Sequence, residues 1–165
     1  MTFLNLSLGS PVVRAGETVT GEFGVVGARF IMAGDPSDGR FSLVEHPIVP
    51  RRLAAPVHLH RREDEFSFVL EGRWGFQLGS DVVYAEPGDL VYKPRDVWHT
   101  FWNATDTPAR LLEIISPPAS SSCSSSSPTC CERTRATLKP MRLWERSTAL
   151  RAIQRQPHGL SASMA

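Results

Sequence analysis

PVHLHRREDEFSFVLEG (residues 56–72) sets two histidines one leucine apart, follows them with an acidic cluster, and runs through an apolar β-type segment into a glycine. Side chains along a strand alternate between its two faces, so His58 and His60 are expected to project to the same side. A short bend through RRED lets the next strand return with Glu65 at its start, facing the same interior. Two imidazoles and a carboxylate on one side make a candidate metal site. An H-x-H pair alone also fits a solvated strand end, so the reading needs a second stretch.

That stretch is GDLVYKPRDVWHTFWN (residues 88–103), where Gly88, Pro94, His99 and Asn103 are separated by five, four and three residues. The first stretch has four residues between His60 and Glu65 and six between Glu65 and Gly72. Taken together, this order and spacing resemble the paired motifs of the cupin superfamily, over about residues 41–115. Three of the chain's five histidines fall on the pattern. The resemblance implies an all-β fold, the cupin double-stranded β-helix or jelly-roll barrel, with a metal ion inside its mouth. It makes His58, His60, Glu65 and His99 the ligands, Gly72 and Gly88 turn residues, and Asn103 structural. Two positions depart from the pattern: Arg52 and Asp96 stand where the motifs usually have glycine. Asp tolerates a left-handed backbone better than most residues, so the turn at Asp96 can survive, and neither change touches a ligand.

Three neutral imidazoles and one carboxylate leave one or two positions open on a six-coordinate ion. Mixed nitrogen and oxygen ligands without thiolate suit one divalent transition metal ion, and do not choose among Fe, Mn, Ni, Cu and Zn. Glu65 has a second role available, as a catalytic base toward a bound hydroxyl. HLHRREDEFSFVLEG, with ARLLEIISP closing the domain, is most similar to small bacterial cupins related to quercetin 2,3-dioxygenase. That likeness implies a metal-dependent dioxygenase, an oxidoreductase acting on a small oxygenated organic molecule with dioxygen. Two alternatives stand beside it, because one scaffold hosts many chemistries: a non-catalytic small-molecule-binding cupin, and a non-redox metal-dependent isomerase or cyclase.

Working outward, residues 16–116 read as short β-type runs separated by turns, with no helical period. The expected strands are TVTGEF, ARFIMA, RFSLVEHPI, APVHLH, EFSFVLEG, RWGFQL, DVVYAE, DLVYK, WHTFWNA and RLLEII. LGSD predicts a hairpin between Leu78 and Asp81, and EPGD a turn with Pro87 and then Gly88 at a positive φ. Residues 1–15 form an N-terminal segment before this domain. Residues 117–131 are a Ser/Cys-rich low-complexity linker, and residues 132–165 a basic tail. Three readings of the tail stand side by side: disordered chain; a basic amphipathic helix after Pro140 carrying Leu143, Trp144, Leu150 and Ile153; and a stretch read out of its ancestral frame from near Ala119. The coding DNA decides the third, since a displaced frame must show an open helix-like sequence there.

At 165 residues the chain is long enough to bury one core. Up to Cys131 it carries 15 acidic residues against 11 Arg and Lys, a mildly acidic balance that argues against a nucleic-acid partner. All three cysteines lie beyond residue 122, which excludes a disulfide framework and fits a reducing compartment. No apolar run suits a secretory signal or a bilayer span, so a cytoplasmic protein without a membrane partner is expected.

Of the remaining candidates, Glu63 could replace Glu65 as ligand but lacks the six-residue spacing to Gly72. His46 reads as a strand histidine with a local partner, and His158 as solvated. Phe101, Ser67 and Val69 are candidate pocket wall by alternation. Trp98, Trp102, Phe66 and Phe68 fall on the opposite face, against a covering strand or a second subunit, so a homodimer is expected. Arg61, Arg62 and Arg95 read as solvated rim.

Overall fold

Nine strands run through the computed structural model, which describes residues 12–15, 18–23, 26–33 and 37–118. They are β1 (Val19–Phe23), β2 (Val26–Met32), β3 (Ser42–Ile48), β4 (Asp64–Glu71), β5 (Trp74–Leu78), β6 (Asp81–Ala85), β7 (Leu90–Lys93), β8 (His99–Asn103) and β9 (Ala109–Ser116). No α-helix occurs among the described residues. The strands form a six-stranded sheet in the order β1-β2-β3-β9-β4-β7 and a three-stranded sheet in the order β6-β5-β8, with every pairing antiparallel. Two packed antiparallel sheets of this kind are the expected jelly-roll architecture.

Alternation explains which side chains enter the interior. In β4 the residues Glu65, Ser67 and Val69 are buried, while Phe66, Phe68 and Leu70 between them are half-buried on the outer face. Trp74 and Phe76 of β5, Phe101 of β8, Val69 of β4 and Leu111 of β9 meet between the sheets as the apolar core. Removing such side chains from water supplies most of the driving force for closing the sheets on each other.

One expected strand does not form. The alternation of APVHLH predicts a strand, but residues 55–60 lie outside the named strands, and residues 53–60 form no continuous ladder with β8, pairing with it in two isolated bridges, Leu53 to Trp102 and His58 to His99. Pro56 interrupts the run because it has no backbone N–H to give to a ladder. The segment nevertheless tracks β8: Ala54 N–H donates to Phe101 O at 2.8 Å, and Asn103 N–H to Arg52 O at 3.0 Å. It therefore covers Trp102, which is fully buried with Leu53, Val82 and Ala104 around it.

The turns follow their chemistry. Leu78 pairs with Asp81 across the predicted hairpin, and Gly88 has φ +98° after Pro87. Asp96 takes φ +63°, so the residue replacing the motif glycine adopts the left-handed backbone itself. Gly72 has φ +79°, and a Cβ there would lie 2.6 Å from Ala109 Cβ, so both backbone and space require glycine. Asn103 is structural as expected: Nδ2 donates to Thr107 O at 2.7 Å and to Val49 O at 3.2 Å, while Oδ1 accepts from Thr105 N–H at 2.8 Å. Residues 1–11 and 119–165, with the linker, His158 and the three readings of the tail, lie outside the described residues.

Candidate metal centre

His58 and His60 come from the segment entering β4, Glu65 is the second residue of β4, and His99 opens β8. Backbone bonds bring the two sequence stretches together. His58 N–H donates to His99 O at 2.9 Å and His99 N–H returns to His58 O at 2.8 Å. Asp96 N–H donates to His60 O at 2.7 Å, an approach that its left-handed backbone permits. The His58 and His99 rings then lie 4.4 Å apart, with His60 5.0 Å from His58 and 5.6 Å from His99.

One potential donor atom from each of His58, His60, Glu65 and His99 lies within 4.8 Å of all the others. Two of the imidazoles are oriented by the main chain. His58 Nδ1 bonds Pro56 O at 2.7 Å and His99 Nδ1 bonds Val97 O at 3.0 Å; a carbonyl only accepts, so both rings carry the proton on Nδ1 and leave Nε2 free. His60 Nε2 and His99 Nε2 are buried and form no well-aligned hydrogen bond; what they face is the Glu65 carboxylate, at 3.1 Å from Oε1 and 3.3 Å from Oε2 respectively. Buried imidazole nitrogens converging on a carboxylate without well-aligned hydrogen bonds are an arrangement that a bound cation satisfies. The residues fit a divalent transition metal ion. Its identity and number do not follow from the donor set.

Burial first, and then the neighbouring His99, push the His58 pKa down to about 4, so this imidazole is neutral in the near-neutral range. Burial also opposes charge on His60, but Glu65 and then Glu63 outweigh it and raise that pKa. Burial favours the protonated form of Glu65, yet Lys93, His60 and His99 hold it well below the usual carboxylate range.

Sequence patterning does not single out two buried residues behind this cluster, Lys93 and Glu113. Lys93 has no solvent exposure, with Nζ 2.7 Å from Glu65 Oε2 and 2.8 Å from Glu113 Oε2. Glu113 in turn accepts a short hydrogen bond from Ser67 Oγ. The available signal was a charged residue at an inward position of an apolar run: Lys93 ends LVYK, and Glu113 stands between Leu111 and Ile115 in ARLLEIIS.

The other candidates separate cleanly. Glu63 stands on the far side of His60, its Oε2 3.7 Å from Nδ1, and is outside the ligand cluster. His46 bonds Gly27 O at 3.0 Å through Nδ1, the local partner expected of it. Phe101, Ser67 and Val69 all face the interior. Arg61 and Arg95 are exposed and pair with Asp96 at 2.9 Å and Asp64 at 2.6 Å, and Arg62 is exposed. Among the described residues no helix is long and apolar enough to cross a membrane.

Comparison with known proteins gives the same picture. Residues 46–115 match the family model described as Cupin domain. An uncharacterized protein of Methanocaldococcus jannaschii is 30% identical over 73 residues, 44% of this chain and 58% of that protein, so the chain spans little more than half of that relative. A predicted oxalate decarboxylase from Thermotoga maritima superposes with TM-score 0.59 at 19% identity, covering 64% of this chain and 97% of that one. A sugar phosphate isomerase of Silicibacter pomeroyi gives 0.54 at 22%, over 64% and 75% of the two chains. A Streptomyces nucleoside dehydratase gives 0.55 at 15%, over 66% and 82%. At these identities the likeness is one of fold.

Proposed function

This chain belongs to the cupin superfamily, and from that premise we propose that it is a mononuclear metal-dependent dioxygenase acting on a small oxygenated organic molecule. The observation that carries the proposal is the cluster of four donor atoms within 4.8 Å, two of them buried imidazole nitrogens that converge on the Glu65 carboxylate. His58, His60, Glu65 and His99 hold the ion. When bound, it supplies a Lewis-acidic centre with open positions for oxygen donors.

The chain's own residues set what can enter. With the imidazoles neutral, as ligation requires, Glu65 and Glu113 against Lys93 leave one net negative charge, which a divalent ion turns into one positive charge. A deprotonated hydroxyl or enol oxygen restores neutrality in a buried site, where unbalanced charge is costly. Against the effect of burial, Lys93, His60 and His99 hold Glu65 ionised, and the catalytic role assigned to it is that of a base toward a bound hydroxyl when it leaves the ion. Phe101, buried and stacked on Phe76 at 6.1 Å, carries the apolar core up to Lys93, whose Nζ lies 4.4 Å from its ring centroid.

The expected homodimer is also a proposal. Its support is an apolar row across the outer face of the large sheet, Met32, Leu43, Ile114, Phe66 and Tyr92 in register, with Tyr92 49% exposed.

The test is elemental analysis of purified protein beside a His58→Ala/His99→Ala variant, followed by oxygen uptake with flavonols and other enediol-like compounds. The expected result is near-stoichiometric transition metal, lost in the variant, and uptake that requires it. Metal without uptake replaces the dioxygenase by a non-redox or purely binding cupin. Absence of metal after incubation with Fe(II), Mn(II) and Ni(II) removes the metal reading.

A further inference from the structure

Lys93 is a fully buried ammonium set directly beside the ligand cluster. In the β4–β7 pairing its register partner is Glu65 itself, so the backbone fixes one next to the other. Nζ contacts Glu65 Oε2 at 2.7 Å and Glu113 Oε2 at 2.8 Å, and lies over the Phe101 ring at 4.4 Å from its centroid. Glu113 is anchored from its other oxygen by Ser67 Oγ, and Ser67 is Glu113's register partner across β4 and β9. Three adjacent strands thus build a chain of buried contacts, Ser67 to Glu113 to Lys93 to Glu65, that ends on a ligand.

A buried lysine needs only one counter-charge, and Glu113 supplies it. The second contact acts on the metal site. A carboxylate can offer a cation two oxygens, and both face the imidazoles here, Oε1 at 3.1 Å from His60 Nε2 and Oε2 at 3.3 Å from His99 Nε2; only Oε2 is also engaged by the ammonium, at 2.7 Å. We propose that Lys93 is a positioning residue of the metal centre: it holds Oε2 of Glu65, so that the carboxylate serves as a single-oxygen donor and a coordination position stays open for substrate. The inference rests on the metal reading above. The arrangement lowers affinity for the ion, through the engaged oxygen and through the nearby positive charge, and in exchange it keeps the centre accessible.

The test uses Mn(II) and Cu(II) with the full chain, its Lys93→Met variant, and the Lys93→Met/Glu113→Gln variant. The double variant leaves no second buried carboxylate without its cation, and replacing a buried ion pair by neutral groups of similar volume is tolerated. Near-UV circular dichroism selects the variants that keep the native fold. Mn(II) affinity is read from the loss of the free-ion electron paramagnetic resonance signal, and the Cu(II) spectrum reports the donor set. Removing Lys93 is expected to tighten Mn(II) binding by about tenfold and to change the Cu(II) hyperfine pattern. Metal bound by both proteins with affinities within about twofold and superimposable Cu(II) spectra, or weaker binding by a folded variant, overturns the assignment of Lys93 alone. No metal in the parent chain overturns the site reading, and this inference with it.

Discussion

Gly75 sits on β5 opposite Trp102 of β8, and the fit of the indole over that glycine can be tested by a mutant cycle. A Cβ at position 75 would fall against Cε2, Cζ2 and Nε1 of Trp102, far inside the ordinary contact distance of about 3.5 Å. The indole has nowhere to go, because Trp102 is fully buried between Leu53, Val82 and Ala104. Gly75→Ala therefore belongs at the upper end of overpacking and should cost about 3 kcal/mol. Trp102→Leu, which leaves a cavity, should cost about 3 kcal/mol by itself. In the double variant the methyl group enters the space vacated by the ring, so the total should stay near 3 rather than 6 kcal/mol, a coupling of about 3 kcal/mol. Urea unfolding of the metal-free proteins gives these values from midpoints and slopes. Additivity within about 0.5 kcal/mol, or a cost below about 1 kcal/mol for Gly75→Ala, would refute the packing argument.

Acid should destabilise the metal-free protein through His58. Its folded pKa of about 4 lies below the unfolded 6.5, so in that window the unfolded chain binds more protons and stability falls as pH drops, by up to about 3 kcal/mol. The raised His60 works in the opposite sense: its contribution is fully present below pH 6.5 and is lost as pH rises through its folded pKa. The depressed Glu65 contributes stability above its unfolded pKa, lost as pH falls through the folded value. Urea midpoints at pH 7 and pH 4.5 should therefore converge in His58→Phe and spread further in His60→Gln. Asn103→Ala should cost about 2–3 kcal/mol in urea unfolding, because it strips the turn between β8 and β9 of its buried bonds, while metal stoichiometry is retained. Light scattering should give a dimer mass that Tyr92→Glu halves; a monomer in the parent chain would remove the dimer proposal.

The positions legible in the sequence were those fixed by local chemistry. Strand alternation put Glu65, Ser67 and Val69 on one face, turn residues located the hairpin at Leu78–Asp81, and Asp96 was read as tolerating the backbone it adopts. The approach of His58 to His99 followed from motif spacing rather than from any visible local rule. The reciprocal backbone bonds that achieve it link residues 41 positions apart, and no local pattern encodes such a contact. APVHLH has the alternation of a strand but forms none, because Pro56 has no N–H to give to a ladder. The inward turn of Lys93 is likewise not visible locally. A lysine at a strand end usually reaches solvent, and only the register with Glu65 and the proximity of Glu113 turn it inward.

The histidine tautomers carry one more consequence. His58 and His99 use the same device, each Nδ1 bonded to the carbonyl two residues upstream, at Pro56 and Val97. The choice of donor nitrogen is thus made by main-chain atoms that every residue type possesses. The side chain at position 97 is therefore free to drift over evolutionary time, or to be exchanged in engineering a new specificity, without reversing the His99 imidazole, whereas at position 56 the proline also keeps the segment out of the ladder and so helps to aim the carbonyl.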